Sequence, residues 1–233
     1  MSDDLDDLVK RNDPDRWLSS RFVADPALRA DVIAIYAYDH ELARAPRVAS
    51  NALLGEIRLT WWREMLDEAF EGRPVRAHPT AQALAEVIQR HNLPREPLEA
   101  MIDARYRELD AALLTKAEAM DLAFRTAGSA AAVAMHIIVG QPVEGFASGY
   151  SGIWALGRLI LDSRIEPAGV AEAVAEVKLS IAEANTVHRH EFTTSIFPTV
   201  AHAALARLYA QGRRPKLLER QLRLLWAVAR GRL

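Results

Sequence analysis

Cysteine is absent from the 233-residue sequence. Its absence excludes disulfide bonds, zinc–thiolate sites, iron–sulfur clusters and a cysteine nucleophile. The chain starts with acidic residues that no long apolar run follows, so a secretory signal peptide is not expected. The longest nearly apolar stretch, residues 127–140, is shorter than a membrane span requires and contains His136, which we expect to be a hydrogen-bonded core residue. These absences favour an intracellular, cytoplasmic protein.

Net charge is also nearly absent, because 29 Lys and Arg stand against 31 Asp and Glu, but the two ends differ. Residues 1–15 contain six aspartates, and residues 207–233 contain eight basic residues against Glu219. Either both ends are solvated, or the basic end contacts an anionic partner or membrane. Basic and aromatic residues are not interleaved, so nucleic-acid binding is not expected.

Strand patterns are scarce, and helix patterns recur along the whole chain. Asp25 is predicted to be an N-cap and Pro26 the first residue of its helix. Thr115 and Glu118 are predicted to form a capping box, and Gly72 is predicted to end a helix. We predict an all-α, single-domain bundle of about eight or nine helices. An acidic segment over residues 1–20 precedes the helical domain of residues 21–233.

Five predicted helices matter for function, and they cover about residues 25–44, 52–71, 115–140, 146–163 and 215–231. The first of them is expected to stop before Pro46. The third contains a run of small residues that allows close approach of another helix, so we place it centrally.

Carboxylates four residues apart lie on one face of a helix and can hold Mg²⁺. Among several such pairs, Asp162 and Glu166 stand out because Arg158 and Arg164 lie nearby and an apolar segment precedes them. The alternative is a helix end whose charges pair locally. The densest histidine cluster, at residues 188–191, does not favour a metal site, because two histidines two residues apart point about 200° apart on a helix.

Several segments, taken in order, resemble the squalene/phytoene synthase family. They are residues 31–38, 55–66, 90–94, 101–110, 126–129, 154–156 and 222–227. The resemblance covers about residues 20–230. It implies the isoprenoid synthase fold, in which helices surround a central cavity.

In active members of that family, two Asp-rich motifs on facing helices hold Mg²⁺ ions that bind prenyl diphosphates. Here the carboxylate positions of the first motif fall near Ala43 and Arg47, and neither side chain binds a metal. Asp162 and Glu166 match the second motif by position, but Pro167 replaces the stretch that normally follows. The resemblance therefore implies a protein without catalytic residues or cofactor.

The alternative function is a Mg²⁺-dependent prenyl diphosphate transferase with a reduced site. In that case Asp162 and Glu166 would bind the metal, and Arg158 would bind the substrate.

A non-catalytic branch of the family includes an assembly factor for respiratory complex I, and residues 41–43, 58–64 and 90–93 resemble it most. For this chain it implies an assembly or interaction factor at the inner face of the cytoplasmic membrane. The expected partners are a protein, such as a complex I component, and a prenyl lipid.

Two surfaces are candidates for such contacts. Arg58, Trp62 and Arg63 are predicted to bind a partner, because aromatic residues and arginine dominate binding hot spots. The helix over residues 215–231 has leucines and Trp226 on one side. We expect that side to pack on the body and leave a basic rim for peripheral membrane contact.

Overall fold

The computed structural model describes residues 2–49, 51–142, 146–186 and 196–233. Within these ranges the chain is helical, and its only β-type pairing is a single bridge between Leu114 and Ile165. The α-helices are α1 (Ser2–Asn12), α2 (Pro14–Ser20), α3 (Pro26–Arg47), α4 (Ala52–Phe70), α5 (Pro79–His91), α6 (Arg95–Arg105), α7 (Lys116–Ala123), α8 (Ser129–Val139), α9 (Phe146–Leu161), α10 (Pro167–Thr186), α11 (Ala206–Ala210) and α12 (Leu217–Arg230). The all-α prediction is confirmed.

Helical segments are more numerous than predicted in the described part of the chain, for two reasons. The N-terminal segment folds into α1 and α2, and the predicted helix 115–140 is divided into α7 and α8 by a π-helical turn, Phe124–Gly128. The segment before α11 is mostly 3₁₀ helix, over Phe197–Thr199 and Ala201–Leu205.

Local capping chemistry accounts for the helix boundaries. The Asp25 side chain accepts from the backbone N–H of Ala27 at 2.7 Å, and Thr115 and Glu118 form the reciprocal capping box. Gly72 follows α4 with φ of 69°, a left-handed conformation that glycine adopts without a Cβ clash. These predicted boundaries are confirmed.

One boundary is wrong. Helix α3 does not stop before Pro46 but continues to Arg47. A proline this close to a helix end removes one hydrogen bond without stopping the last turn, and the N–H of Val48 still reaches the carbonyl of Arg44 at 3.1 Å.

The buried apolar side chains form two clusters. One is built mainly from α1, α3, α4, α5, α6 and α8, and the other mainly from α7, α9, α10, α11 and α12. The continuous helix Lys116–Val139, made of α7, the π turn and α8, contributes to both and packs on α3, α6 and α9. It is the one helix of the described chain long and apolar enough to span a membrane, and 67% of its most apolar window is buried.

The acidic N-terminal segment is only partly solvated, contrary to one of the two interpretations above. Leu5 and Val9 on α1 lie in the first apolar cluster, and Asp13 and Asp15 are buried at the start of α2. These two aspartates are paired with arginines and aromatic donors that the helices bring together. The structure therefore joins residues 2–20 to the helical body.

Candidate functional site

A small cavity of about 120 Å³ lies where α3 faces α9, with α2, α6 and the π turn around it. It contains both predicted motif positions, because Ala43 and Arg47 line it from α3, and Arg158 and Asp162 line it from the end of α9. Its lining residues are Asn12, Asp13, Arg16, Asp39, His40, Ala43, Arg47, Arg105, Glu108, Leu122, Ala123, Thr126, Ala127, Trp154, Ala155, Arg158, Leu159 and Asp162. Sites for drug-sized ligands are typically about 300–1,000 Å³, so this one is small.

Asp39 is held at the centre of this cavity between two arginines. It accepts from Nη2 of Arg16 at 2.7 Å and from Nη2 of Arg105 at 2.8 Å, and all three side chains are buried. Burial alone would raise the pKa of Asp39, but the two guanidinium charges outweigh it and hold the pKa well below its usual range. The Arg16 guanidinium also lies over the rings of Tyr36 and Trp154.

Asp13 extends the network on the α2 side. It is the N-cap of α2 and accepts from Nε of Arg16 at 2.5 Å, while Nη1 of Arg158 lies 3.7 Å from its other oxygen. Burial opposes its ionisation, but these two arginines lower its pKa. Asp13 is therefore a carboxylate that already has its cationic partners.

Glu108 closes the network on the other side. Its side chain accepts from Nη1 of Arg105 at 2.5 Å and lies 3.8 Å from Nη2 of Arg47. Arg47 thus stands at the mouth of the cavity as a positive charge where the first motif would place a carboxylate, and Ala43 beside it provides no ligand atom.

The charges of the cavity balance one another. Its four carboxylates face four lining arginines: Asp13, Asp39, Glu108 and Asp162 against Arg16, Arg47, Arg105 and Arg158. Mg²⁺ would need carboxylates that are not already neutralised by arginine. In the described residues no group of three or more His, Cys, Asp or Glu is placed to hold a metal. The residues present do not fit a Mg²⁺ site.

The predicted helical pairing of Asp162 with Glu166 is wrong. Helix α9 ends at Leu161, and Ser163 follows with φ of 54°, so the two carboxylates do not share a helix face. Asp162 lines the cavity and forms an ion pair with Arg214, which agrees with the alternative of local charge pairing.

Glu166 is exposed on the loop before α10, where its backbone N–H donates to the carbonyl of Leu114 at 2.8 Å. Arg158 stacks over the ring of Trp154 and lies against Asp13. Two of the three residues assigned to a metal–substrate site therefore border the cavity, and the third does not.

Asp15, which the sequence showed only as part of an acidic stretch, anchors the N-terminal segment to the C-terminal helices. Its carboxylate accepts from Nε1 of Trp154 at 3.0 Å and from the hydroxyl of Tyr209 at 2.5 Å, and Nε of Arg220 lies 2.6 Å away. Burial, with the nearby charge of Asp13, raises its pKa.

Sequence reasoning missed these buried charges, although one pattern marked them. Asp13 precedes Pro14 as Asp25 precedes Pro26, and both aspartates are N-caps. The same capping argument therefore predicts α2 and the position of Asp13. No local pattern, however, reveals that Arg16 and Arg105 meet Asp39 across the fold.

Two histidines, His136 and His202, are buried in the core, and no histidine of the described chain belongs to a group placed to hold a metal. His202 is fully buried, with its Nε2 2.9 Å from Oγ of Ser151 and its ring against Trp154. Burial and the nearby Arg16 lower its pKa to about 3. His136 is buried in α8 and forms a hydrogen bond with the backbone of His91, as expected, while its Nδ1 has no partner among the described residues. Residues 188–190 lie outside the described residues.

A second concave surface, the α3–α4 groove, has a volume of about 360 Å³. It is defined by Glu41, Arg44, Ala45, Val48, Ile57, Arg58, Trp61, Trp62 and His78. Val48 and Ile57 are about half exposed, and Arg58 is exposed with no ion-pair partner in the described part of the chain.

Trp62 is a core residue, contrary to its assignment as a partner contact. Its ring is 4% exposed and packs edge-on against Tyr38 and Trp61, with ring centroids 5.4 and 4.9 Å away. Both tryptophans line the groove, but adjacent residues on a helix point about 100° apart, and the neighbouring Trp61 is the more exposed of the two. Arg63 is partly exposed and forms an ion pair with Asp103 on α6.

Helix α12 does not bury the apolar side that the sequence led us to place against the body. Leu217, Leu218, Leu222, Leu225 and Trp226 are all more than half exposed. The helix packs through Leu224 and Ala227 instead.

Comparison with known proteins agrees with the fold and with the resemblance. The family model for squalene/phytoene synthase matches residues 9–148, which is more than half of the chain. This stretch contains α2 to α8 and the α3–α4 groove, and it ends before most of α9 and before α12.

Three curated relatives are NADH dehydrogenase (ubiquinone) complex I, assembly factor 6, from Bos taurus, Homo sapiens and Rattus norvegicus. They are 28%, 27% and 29% identical to this chain, each over 104 residues. The matched stretch covers 45% of this chain and 31% of each relative's length.

Proposed function

The chain belongs to the squalene/phytoene synthase family, and we propose that it is a non-catalytic member that works as an assembly or interaction factor for respiratory complex I. The observation that carries the proposal is the state of the carboxylates in the cavity between α3 and α9. Each of them already has an arginine partner. This leaves no set of unneutralised ligands for the metal ions that active family members need.

Electrostatics supports this conclusion. Synthase chemistry requires stabilisation of a diphosphate leaving group, to which bound metal ions contribute several kcal/mol. Each loss of about 1.4 kcal/mol lowers the rate tenfold. With Arg47 and Ala43 at the first motif and Asp162 paired with Arg214, the metal ions that supply this stabilisation would lack a carboxylate ligand set among the described residues of the cavity.

The similarity to complex I assembly factors points to the assembly that this chain serves. The α3–α4 groove is the partner surface that we propose, because it lies within the family-matched region and combines exposed apolar side chains with Arg58 and the edge of Trp61. In this proposal the protein acts in the cytoplasm, at the inner face of the cytoplasmic membrane, and needs no cofactor.

The enzymatic half of the proposal is tested with purified protein, Mg²⁺ and farnesyl or geranylgeranyl diphosphate. We expect no coupled product and no release of diphosphate. Turnover that disappears in an Asp162→Ala variant would instead establish the alternative, a transferase with a reduced site.

The assembly half is tested in a deletion strain of the source organism. We expect less assembled complex I on native gels and a lower NADH–ubiquinone oxidoreductase activity. The native chain and Asp162→Ala should restore both, whereas Arg58→Glu should restore neither at equal protein level. Arg73→Glu, on an exposed arginine outside the groove, is the matched control and should behave as the native chain. A deletion without effect on complex I would overturn this half.

A further inference from the structure

The outer side of α12 is an apolar strip that nothing in the described chain covers. Leu218, Leu222, Leu225 and Trp226 are 67%, 57%, 53% and 60% exposed. Exposed leucines occur singly on most proteins, but four large apolar side chains on three turns of one helix form a continuous patch.

The strip lies on the side of α12 opposite its main contact with the body, and Leu218, Leu222 and Trp226 also line an open concave surface beside the helix. At about 100° per residue, its four side chains fall within an arc of about 100°, and Leu224 and Ala227 lie on the opposite side, against the second apolar cluster. Arg220 anchors the helix from the same side, with its Nε 2.6 Å from the buried Asp15. The helix is therefore fixed on the body and leaves its strip of apolar side chains exposed to solvent.

Basic residues border this strip. Arg223 and Arg230 follow one edge, Lys216 precedes the helix and Arg232 follows it. The single acidic residue, Glu219, is neutralised by ion pairs with Arg213 and Arg223. The Arg230 guanidinium lies 3.8 Å from the ring centroid of Trp226, so a cation and an aromatic ring meet at one edge of the strip.

We propose that α12 is a docking surface for a bilayer that contains anionic lipids. The border of the strip carries a net positive charge, and this charge complements the phosphates of anionic lipids beside an apolar surface that the leucines can enter. The leucines enter the boundary between headgroups and acyl chains, Trp226 lies at that boundary, and the bordering arginines contact lipid phosphates. This inference identifies a surface for the membrane location in the proposed function, but its evidence is separate, because α12 lies outside the family-matched region.

Flotation of the full-length protein with vesicles tests the inference. The two vesicle types are phosphatidylcholine alone and phosphatidylcholine mixed with phosphatidylglycerol. We expect the protein to float with the mixed vesicles, to float less as NaCl is raised, and to stay largely unbound with phosphatidylcholine alone.

Two variants separate the apolar and the electrostatic contribution. Leu222→Glu should lower the fraction bound to mixed vesicles about tenfold, because it places a charge in the centre of the strip. Arg230→Glu should lower binding to the mixed vesicles and leave the weak binding to phosphatidylcholine unchanged. The matched control is Ile57→Glu, which changes an equally exposed apolar residue in the α3–α4 groove and should bind vesicles as the native chain does.

Each variant is first compared with the native chain by thermal unfolding. Since both apolar positions are exposed, we expect their melting temperatures to remain close to that of the native chain. Failure to float with mixed vesicles, equal binding to both vesicle types, or equal loss in Ile57→Glu would overturn the inference. So would a dimer in solution that Leu222→Glu dissociates without any vesicle binding, since the strip would then cover a second copy.

Discussion

The cavity between α3 and α9 and the outer strip of α12 reverse the usual placement of side chains. In the cavity, Asp39, Arg16 and Arg105 are buried, while on α12 the leucines and Trp226 are exposed. The buried charges are stable because each has a partner of opposite sign within the fold. The exposed apolar residues have no such partner in the described chain.

The buried charges stabilise the fold, whereas the exposed apolar side chains of α12 are available for contact with other molecules. Removing one member of a buried ion network leaves an uncompensated charge in a medium of low polarity. Removing an exposed leucine takes away little that the fold depends on. We therefore expect stability to be sensitive at the cavity, and binding to be sensitive at α12.

Asp39→Ala is expected to have the largest effect on stability. It leaves Arg16 and Arg105 buried without their shared carboxylate, which should lower the free energy of unfolding by about 3–5 kcal/mol. Urea unfolding measures the change. Asp67→Ala, which breaks a partly exposed pair with Arg95, is the control and should cost less than about 1 kcal/mol. Similar losses in the two variants would show that the buried network contributes no more to stability than a partly exposed ion pair.

The two sides of α12 should respond differently to the same substitution. Leu224→Ala opens a cavity under the helix and should lower the free energy of unfolding by about 3 kcal/mol. Leu222→Ala removes the same atoms from the exposed side and should change it by less than about 0.5 kcal/mol. Chemical denaturation of both variants checks this. A large loss for Leu222→Ala would mean that the outer strip is part of the core.

Acid sensitivity should come in part from His202. Its pKa is about 3 in the fold and 6.5 when unperturbed, so the unfolded chain binds a proton that the folded chain does not. Its stabilising contribution is complete above 6.5 and is lost as the pH falls towards 3, with a loss of about 2 kcal/mol at about pH 5.

His202→Gln keeps a polar group beside Ser151 and cannot be charged. Unfolding followed from neutral pH to about pH 5 should therefore show a weaker pH dependence in the variant than in the native chain. An unchanged pH dependence would show that folding does not lower the pKa of His202.

The positions of most helices followed from short-range patterns. The caps at Asp25 and Thr115 and the left-handed Gly72 depend on interactions within four residues, so they can be predicted without knowledge of the fold. The end of α9 was misplaced by two residues, and this was enough to separate Asp162 from Glu166. A small error in a boundary thus removed the geometry on which the metal-site argument relied.

The charged network depended on contacts that no local pattern encodes. Arg16, Asp39 and Arg105 are separated by 23 and 66 residues in the chain and meet only when α2, α3 and α6 pack together. The burial of Trp62 also depended on tertiary contacts. Trp61 and Trp62 are neighbours on one helix, and it is Trp62 that packs against Tyr38 on α3.

The amino-acid sequence alone was sufficient for the helical class, for the family and for the replacement of the first metal-binding motif by Ala43 and Arg47. These depend on residue identity and local spacing. Tertiary packing decided which carboxylates are neutralised and which face of α12 is exposed. An amphipathic helix can bury either side, and in α12 the contact of Arg220 with Asp15 and the burial of Leu224 orient the leucine strip outward.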